Sequence, residues 1–456
     1  MKITIIGTGY VGLVTGVSLA LNNNKVVCIG RQTKKIDEIN EGRSPFFEPG
    51  LDELLTKAVN NKSLCGSDQL IENVKNSDIV LIAVGTPTVN NKIDLSQIEE
   101  VAKEIGKGIK LARKYIVIAV KSTVIPGTTE KIVLPLLEKY SGKKLGKDFG
   151  LSMNPEFLRE GNAVEDSMDP DRIVIGQADK KSGAHLAKMY ESFTCPLLFV
   201  PIKTAEMTKY ASNALFATLI SYSNEIARIC ETTKDVDVVD VWRGVHLDHR
   251  LTPSQSKIVI KNNRVFPGFV SYLFSGCGYG GSCFPKDTKA LDAYALELGL
   301  EPGIISRVIS INRTQPLRVV ALVTSGLKKV KGSRIAILGL TFKENTDDMR
   351  EAPSLPIINE LIKQGANVVC HDPVISVRKS SAVTDLGAIL VDSAQEALKG
   401  SDAVIVLTGW AEYKKLTPSF FKKHMKNPLL IDGRRIYGKD MLESGIDYRG
   451  IGYNKK

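Results

Sequence analysis

Apolar residues arrive along this chain in short uninterrupted runs, separated by longer stretches with helical spacing. The first run covers residues 3–7, and others follow at 25–30, 79–84, 115–120 and 173–176. Runs this short, with no polar alternation, predict strands buried on both faces. Their alternation with helical stretches predicts a doubly wound parallel sheet of the α/β class. The pattern changes over residues 204–233. There Met207, Leu215, Leu219, Tyr222 and Ile226 recur at helical spacing, which predicts one long helix whose apolar stripe serves core or dimer packing. A polar break at Lys331-Gly332-Ser333 precedes a further strand at 334–339. The chain then echoes itself: Asn73-Val74-Lys75-Asn76-Ser77-Asp78-Ile79-Val80-Leu81-Ile82 resembles Ala397-Leu398-Lys399-Gly400-Ser401-Asp402-Ala403-Val404-Ile405-Val406. Both read as helix end, turn and buried strand, so the C-terminal third is expected to repeat the first fold.

The first strand runs into Gly7-Thr8-Gly9-Tyr10-Val11-Gly12, and a helix follows through Leu21. In a strand–GxGxxG–helix–strand setting, Gly7 permits the tight turn and Gly9 admits a pyrophosphate to backbone N–H groups. Gly12 lets the helix pack closely on the strand. This predicts a dinucleotide site. Gly85-Thr86-Pro87-Thr88 and Lys121-Ser122-Thr123 follow other strands at the carboxyl edge, where ligands bind in such sheets. A chain of 456 residues exceeds one ordinary core. The expected layout is an N-terminal Rossmann dinucleotide-binding domain (1–200), a central long-helix domain (201–330) and a C-terminal Rossmann-like domain (331–456). The last lacks a GxGxxG, so no second dinucleotide is expected there.

Composition narrows the classes further. No apolar run is long enough to span a bilayer, and residues 1–7 enter a strand with no signal-peptide pattern. Seven cysteines without a CxxC pair fit reduced thiols and a cytoplasmic location. Five histidines form no HxxxH pair, so no metal is expected. The formal charge of +11 comes from scattered lysines without interleaved aromatics, which fits a phosphorylated small-molecule ligand rather than nucleic acid.

The densest chemistry lies in Gly276-Cys277-Gly278-Tyr279-Gly280-Gly281-Ser282-Cys283-Phe284-Pro285-Lys286-Asp287. Glycines let the backbone approach a ligand, and Pro285 suits the first turn of a helix. The Cys283 thiol is thereby placed near a helix N-terminus, where the thiolate is favoured. Asp287 follows one turn later on the same face. Lys209 and Asn213 share a face of the long helix at i, i+4, a spacing that surface residues show equally.

Six motifs together resemble the UDP-glucose/GDP-mannose dehydrogenase family over nearly the whole chain. They are the glycine motif at 7–12, Glu48-Pro49-Gly50-Leu51, Lys121-Ser122-Thr123, Asn154-Pro155-Glu156-Phe157-Leu158-Arg159-Glu160-Gly161, Gly280 to Asp287, and Phe342-Lys343-Glu344-Asn345-Thr346-Asp347-Asp348-Met349-Arg350-Glu351. The resemblance implies four-electron oxidation of the C6 alcohol of UDP-glucose to a carboxylate through a thiohemiacetal and a thioester on Cys283. UDP-N-acetylhexosamine and GDP-mannose are the alternative substrates. It implies that Lys209, with Asn213, stabilises the reacting oxygen and that Asp287 assists proton transfer or water. Thr123, Glu156 and Glu160 would hold water or the acyl intermediate. Substrate contacts are implied for Phe157, Leu158, Arg159, Lys209, Asn213, Gly280, Phe342, Lys343 and the Arg434-Arg435 pair. Cofactor contacts are implied for Gly7, Gly9, Tyr10, Val11, Gly12, Thr86, Thr123 and Lys286. A homodimer or higher homo-oligomer is also implied, with Arg250 reaching the partner's substrate.

Two features depart from the family pattern. A long segment, residues 251–273, separates Arg250 from the glycine-rich motif, as a loop that shapes sugar choice or as a surface insertion. The second strand ends in Ile29-Gly30-Arg31-Gln32-Thr33-Lys34-Lys35, where an acidic residue for the ribose hydroxyls of NAD is expected about 20 residues after the glycines. Gly30 there leaves room, and Arg31 with Lys34 or Lys35 suits a 2′-phosphate. The cofactor expectation is therefore NAD or NADP, leaning to NADP.

Overall fold

The computed structural model describes residues 1–89, 92–248, 251, 259–260, 263–264, 271–375 and 381–453. The chain forms two compact units, one of Met1–Ser212 with Lys289–Gly299 and one of Asn213–Thr288 with Leu300–Lys456.

In the first unit the strands are β1 (Lys2–Ile6), β2 (Lys25–Ile29), β3 (Leu64–Ser67), β4 (Ile79–Ile82), β5 (Thr88–Val89), β6 (Lys92–Ile93), β7 (Ile116–Val120), β8 (Phe149–Met153), β9 (Ile173–Gln177) and β10 (Leu197–Pro201). β5 and β6 form a small hairpin; the rest make one sheet in the order β10-β9-β8-β7-β4-β1-β2-β3. The apolar runs explain this sheet. Ile79 and Leu81 face one helical layer with Leu13 and Val17, while Val80 and Ile82 face the other with Ile105 and Ile109. From β3 through β8 all pairings are parallel, as two buried faces require. The strand at 173–176 departs from the expected parallel sheet, because β9 runs antiparallel to β8. A parallel return needs a crossover that lies along the sheet. The connection here contains only the helix Ala163–Met168, which packs on the helix Tyr10–Leu21; Ser18 Oγ donates to Ser167 O at 2.6 Å.

The second unit holds β11 (Val259–Ile260) and β12 (Asn263–Arg264), a short antiparallel pair. Its sheet consists of β13 (Arg334–Leu338), β14 (Asn367–His371), β15 (Ile389–Leu390), β16 (Ala403–Val406), β17 (Leu429–Asp432) and β18 (Asp447–Gly450), ordered β15-β14-β13-β16-β17-β18 and wholly parallel. The internal echo maps onto equivalent places, since β4 lies beside β1 and β16 beside β13. The shared aspartate has a reason to recur. Asp78 accepts the Lys2 N–H at 2.7 Å and Asp402 the Arg334 N–H at 3.0 Å, so each sets the register of the central strand pair.

After β13, Gly339 takes φ +96°, as Gly7 takes φ +123° after β1. The two turns then diverge. Asp372 accepts the N–H groups of Leu340 and Thr341 at 2.7 and 3.3 Å, together with Trp410 Nε1 at 3.2 Å. An internal carboxylate thus takes backbone donors of the kind an anionic ligand uses.

The long helix spans Ile202–Thr232, close to the expected 204–233. Of its five stripe residues, Leu219 and Ile226 pack on the core of the second unit, while Met207, Leu215 and Tyr222 are exposed. Ile229 joins the exposed set, so Leu215, Tyr222 and Ile229 recur every seventh residue at 55%, 52% and 58% exposure.

Strain and crowding can be separated at two glycines. A Cβ on Gly339 would lie 2.5 Å from Thr408 Cβ, whereas one on Gly400 (φ +68°) meets nothing within 4 Å. Gly400→Ala should cost about 1 kcal/mol from backbone strain alone. Gly339→Ala should cost roughly 2–4 kcal/mol, because overpacking adds to strain. Urea unfolding midpoints check the order; equal losses would refute the crowding.

Candidate active site

The glycine turn is shaped by packing at two positions and open at the third. A Cβ on Gly7 would lie 2.3 Å from Ala83 O and one on Gly12 2.0 Å from Gly7 O, whereas at Gly9 nothing lies within 4 Å. Gly9 is the N-cap of the helix Tyr10–Leu21, whose first turn holds no acidic residue. Open space over an uncompensated helix N-terminus fits a dinucleotide pyrophosphate. Val11 packs half-buried against the core. The Tyr10 hydroxyl donates to Glu48 Oε2, and Gly161 N donates to both the Tyr10 oxygen at 3.0 Å and Glu48 Oε2 at 2.7 Å. Burial, reinforced by Glu48, pushes the Tyr10 phenol far above its usual range. Glu48 also accepts Ala163 N at 2.7 Å. It therefore ties the start of the first helix to the end of the Asn154–Gly161 motif. Sequence reasoning quoted Glu48 without a role; only its buried position reveals one.

At the end of β2, Gly30 does not leave the room expected of it. A Cβ there would lie 2.9 Å from Thr8 Cγ2 and 3.0 Å from Thr8 Oγ1. The residue is small because Thr8 fills the space above it. Arg31 is exposed and paired with Glu100 at 2.6 Å. Lys34 is exposed and Lys35 half-buried in the first turn of the helix Thr33–Asn40. Beyond β4, Thr86 Oγ1 donates to Thr123 O at 2.9 Å, linking the two strand-end loops.

A buried charged cluster forms where β7, β8 and the long helix contribute to the first unit. Lys209 Nζ lies 2.9 Å from Glu156 Oε1, with the side chains 3% and 6% exposed. Leu158 N donates to Glu156 Oε2 at 2.6 Å. Burial alone would raise the Glu156 carboxyl, but Lys209, the Leu158 N–H and Lys121 outweigh it and hold it below its usual range. Lys121, also buried, donates to Asn154 Oδ1 at 3.1 Å. Burial and the like charge of Lys209 push its ammonium down to about 8, with Glu156 opposing them. Glu160 is buried in the following loop. The Phe157 ring lies 3.9 Å beneath the Arg172 guanidinium and 5.5 Å from Lys209 Nζ. Arg159 turns to Asp166, which takes its backbone N–H at 2.8 Å and its side chain.

The second unit holds the cysteine. Cys283 immediately precedes the helix Phe284–Glu297, and Asp287 N donates to Cys283 O at 2.8 Å as that helix begins. Ser282 Oγ lies 3.5 Å from the half-buried Cys283 sulfur. Asp287, 1% exposed, accepts Asn213 Nδ2 at 2.5 Å and pairs with Lys286 Nζ at 2.5 Å. Asn213 and Asp287 are thus brought together, and Lys286 is directed to Asp287.

The glycine collar is explained by what packs on it. A Cβ on Gly280 would lie 2.5 Å from Glu351 O, and one on Gly281 (φ +82°) 2.8 Å from the Phe342 ring. Gly281 N donates to Arg350 O at 2.8 Å, so the Phe342–Glu351 motif lies directly on the cysteine loop. Lys343 Nζ stands 5.7 Å from the Phe342 ring. The arginine pair separates: Arg434 donates to Phe342 O at 2.6 Å, Leu407 O at 2.7 Å and Gly278 O at 3.4 Å. Arg435 is buried, bound to Asp237 at 2.8 Å and to Ile451 O at 3.0 Å. Arg250 lies outside the described residues, as does most of the segment 251–273. Among the described residues no group of three or more His, Cys, Asp or Glu could hold a metal, and no helix is long and apolar enough to cross a membrane.

The chain is similar to known proteins over nearly its whole length. Family models of the UDP-glucose/GDP-mannose dehydrogenase family match as its NAD binding domain over residues 1–194, its central domain over 203–314 and its UDP binding domain over 336–439. A UDP-glucose 6-dehydrogenase of Bacillus subtilis (strain 168) is 40% identical over 99% of this chain and 98% of its own length. One from Pseudomonas aeruginosa is 35% identical over 99% of this chain and 97% of its own. The solved structure of a UDP-glucose dehydrogenase from Pyrobaculum islandicum superposes with a TM-score of 0.88 at 35% identity, covering 99% of this chain and 97% of that one. The glycine turn, the buried lysine–glutamate pair and the cysteine at its helix start therefore stand in a chain that belongs to the UDP-glucose/GDP-mannose dehydrogenase family.

Proposed function

We propose that this protein is a UDP-glucose 6-dehydrogenase, converting the C6 alcohol of UDP-glucose to the carboxylate of UDP-glucuronate. The observation that carries the chemistry is Cys283 at a helix start, with Asp287 held one turn on by Asn213 and Lys286. A helix N-terminus favours the thiolate. Loss of the hydroxyl proton and a hydride from C6 gives the aldehyde; the thiolate adds to it, giving a thiohemiacetal whose oxygen takes up a proton. Loss of a hydride and that proton leaves a thioester. Water adds to the thioester carbonyl, and collapse releases the carboxylate and the Cys283 thiolate. A dinucleotide of the NAD type would be held at Gly7, Gly9 and Gly12 and, bound twice in succession, would supply the hydride acceptor for the four-electron oxidation.

The chain's own groups have distinct tasks. Lys209, with Asn213, stabilises the oxygen that becomes anionic, and Asp287 handles the proton of the attacking water. Thr123, Glu156 and Glu160 order that water near the acyl carbon. Phe157, Leu158, Arg159, Gly280, Phe342, Lys343 and Arg434 contact the nucleotide sugar. Arg435 acts through packing instead, since Asp237 and Ile451 hold it. No disulfide joins any of the seven cysteines, which supports a reducing cytoplasm as the compartment.

Cys283→Ala should abolish UDP-glucuronate formation, a loss of at least about 10³-fold, while UDP-glucose binding by calorimetry stays within about twofold. Release of the acid at the wild-type rate would exclude the covalent route. In the same assay UDP-glucose should be turned over faster than UDP-N-acetylhexosamines or GDP-mannose; a faster GDP-mannose reaction would reassign the substrate.

NADP should be accepted and preferred over NAD. Arg31 stands at the end of β2 in an exposed pair with Glu100. Such a pair is worth only about 0–1 kcal/mol, so a 2′-phosphate can draw Arg31 away. Its charge-assisted hydrogen bonds contribute about 1.5–3 kcal/mol. Arg31→Ala should narrow the kcat/KM ratio of NADP to NAD by about tenfold, and Glu100→Ala should widen it. Gly30→Asp is not a clean probe, because its Cβ would displace Thr8. A wild-type preference for NAD that Arg31→Ala leaves unchanged would show that this strand end does not read the phosphate.

The protein is a homodimer through the outer stripe Leu215, Tyr222 and Ile229. Heptad-spaced apolar residues at more than half exposure support this reading. Tyr222→Glu with Ile229→Glu should shift the mass in light scattering toward the monomer. A wild-type monomer of full activity would defeat it.

A further inference from the structure

We propose that Asn312 is a positioning residue for Cys283: with Gln315 it clamps the backbone of the cysteine loop and so sets where the thiol meets the C6 aldehyde. This rests on the covalent role given above to Cys283. Both clamping residues stand on the helix Ile304–Gly326, at i and i+3 on one face. Asn312 Oδ1 accepts Tyr279 N at 2.9 Å, and its Nδ2 donates to Tyr279 O at 3.0 Å. One side-chain amide thus pairs with both backbone groups of one residue, as a residue of an antiparallel strand would. Gln315, 1% exposed, donates through Nε2 to Gly276 O at 2.8 Å. Its Oε1 accepts Arg228 Nη2 at 3.0 Å, which fixes the orientation of the amide. Gly276 N donates in turn to Oδ1 of Asn224, a buried residue of the long helix, at 2.8 Å. The clamp also explains a glycine: Gly278 takes φ +109°, and a Cβ there would lie 2.8 Å from Asn312 Oδ1.

Buried backbone N–H and C=O groups outside helices and sheets must be satisfied by other partners. Here side-chain amides from two helices satisfy them, and Gly276 and Tyr279 are held in place. The clamp reaches Cys283 through packing. The Tyr279 ring meets the Phe284 ring edge-on, with centroids 6.1 Å apart, and Phe284 is the first residue of the helix that follows Cys283. Tyr279 also packs with Ala217 and Val308, so its ring is seated between the long helix and the helix that carries Asn312. The thiolate is favoured by its own helix start, which does not include the clamp. Loss of the clamp therefore displaces the thiol without removing its charge. Oxidation of the alcohol to the aldehyde precedes thiol attack, whereas the second oxidation requires it. The clamp thus serves the second half of the reaction.

Stopped-flow single turnovers with UDP-glucose and excess dinucleotide separate the two halves. In Asn312→Ala the first equivalent of reduced dinucleotide should form within about twofold of the wild-type rate, and the second at least about tenfold more slowly. Affinity for UDP-glucose by calorimetry should stay within about twofold, so the loss falls on kcat. Gln315→Glu keeps an oxygen for Arg228 and loses the donor to Gly276 O. It should slow the same half, and it carries the test if Asn312→Ala does not fold. Equal slowing of both equivalents in a folded variant, or a second equivalent at the wild-type rate, overturns the proposal. Amide hydrogen exchange needs no turnover: the Tyr279 N–H should exchange at least about tenfold faster in Asn312→Ala than in the wild type. Unchanged exchange would refute the clamp itself. A wild type that makes no UDP-glucuronate sinks the proposed activity instead, while the exchange rates still decide whether Asn312 holds the loop.

Discussion

The buried ion pair between Lys209 and Glu156 is the constraint on which the loop after β8 depends. Removing two charges from water costs several kcal/mol per ion before their attraction offsets it. Such a pair is therefore a poor device for stability alone. It is supported by the Leu158 N–H on the carboxylate and the Phe157 ring beside the ammonium, and the charge of Lys121 favours the carboxylate too. The loop after β8 is thereby held against the long helix in one conformation. Glu48 holds the other end of that loop through Gly161 and Ala163, and Tyr10 carries the connection to the glycine turn. The loop after β8 and the glycine turn are parts of one polar network.

Glycine performs two different tasks in the two units. At Gly7 and Gly12 the missing Cβ lets backbone meet backbone, and only Gly9 is left open toward solvent, where a ligand can approach. At Gly280 and Gly281 the space is filled by the Glu351 carbonyl and the Phe342 ring. The cysteine loop is therefore a packed surface rather than a flexible one. The thiol at the helix start thus stands on a backbone braced from behind.

The two sheets share topology but not function. Asp78 and Asp402 register the same strand pair in each, and Gly7 and Gly339 open the same turn. Asp372 closes the second turn with its own carboxylate. One carboxylate after the second strand thus distinguishes a turn open to a dinucleotide from one closed on itself.

The sequence by itself determined the strands, the long helix, the glycine turn, the helix start after Cys283 and the repeat. Each is written in local spacing: short apolar runs, 3.6-residue periodicity, and glycine or proline at a turn. Family resemblance then assigned roles to distant motifs. What only the tertiary structure decided were partners through space. Arg434 and Arg435 are chemically identical neighbours, and only the positions of Phe342 O and Asp237 separate their roles. Gly30 reads as vacant space until Thr8 is seen above it. β9 reads as another buried strand, and its reversal follows from where the helix Ala163–Met168 is packed. Lys121 looks like any lysine after a strand, yet burial, with the like charge of Lys209, pushes its ammonium down to about 8. Spacing records which residues can lie on one element, whereas burial and charge depend on what other elements bring against them.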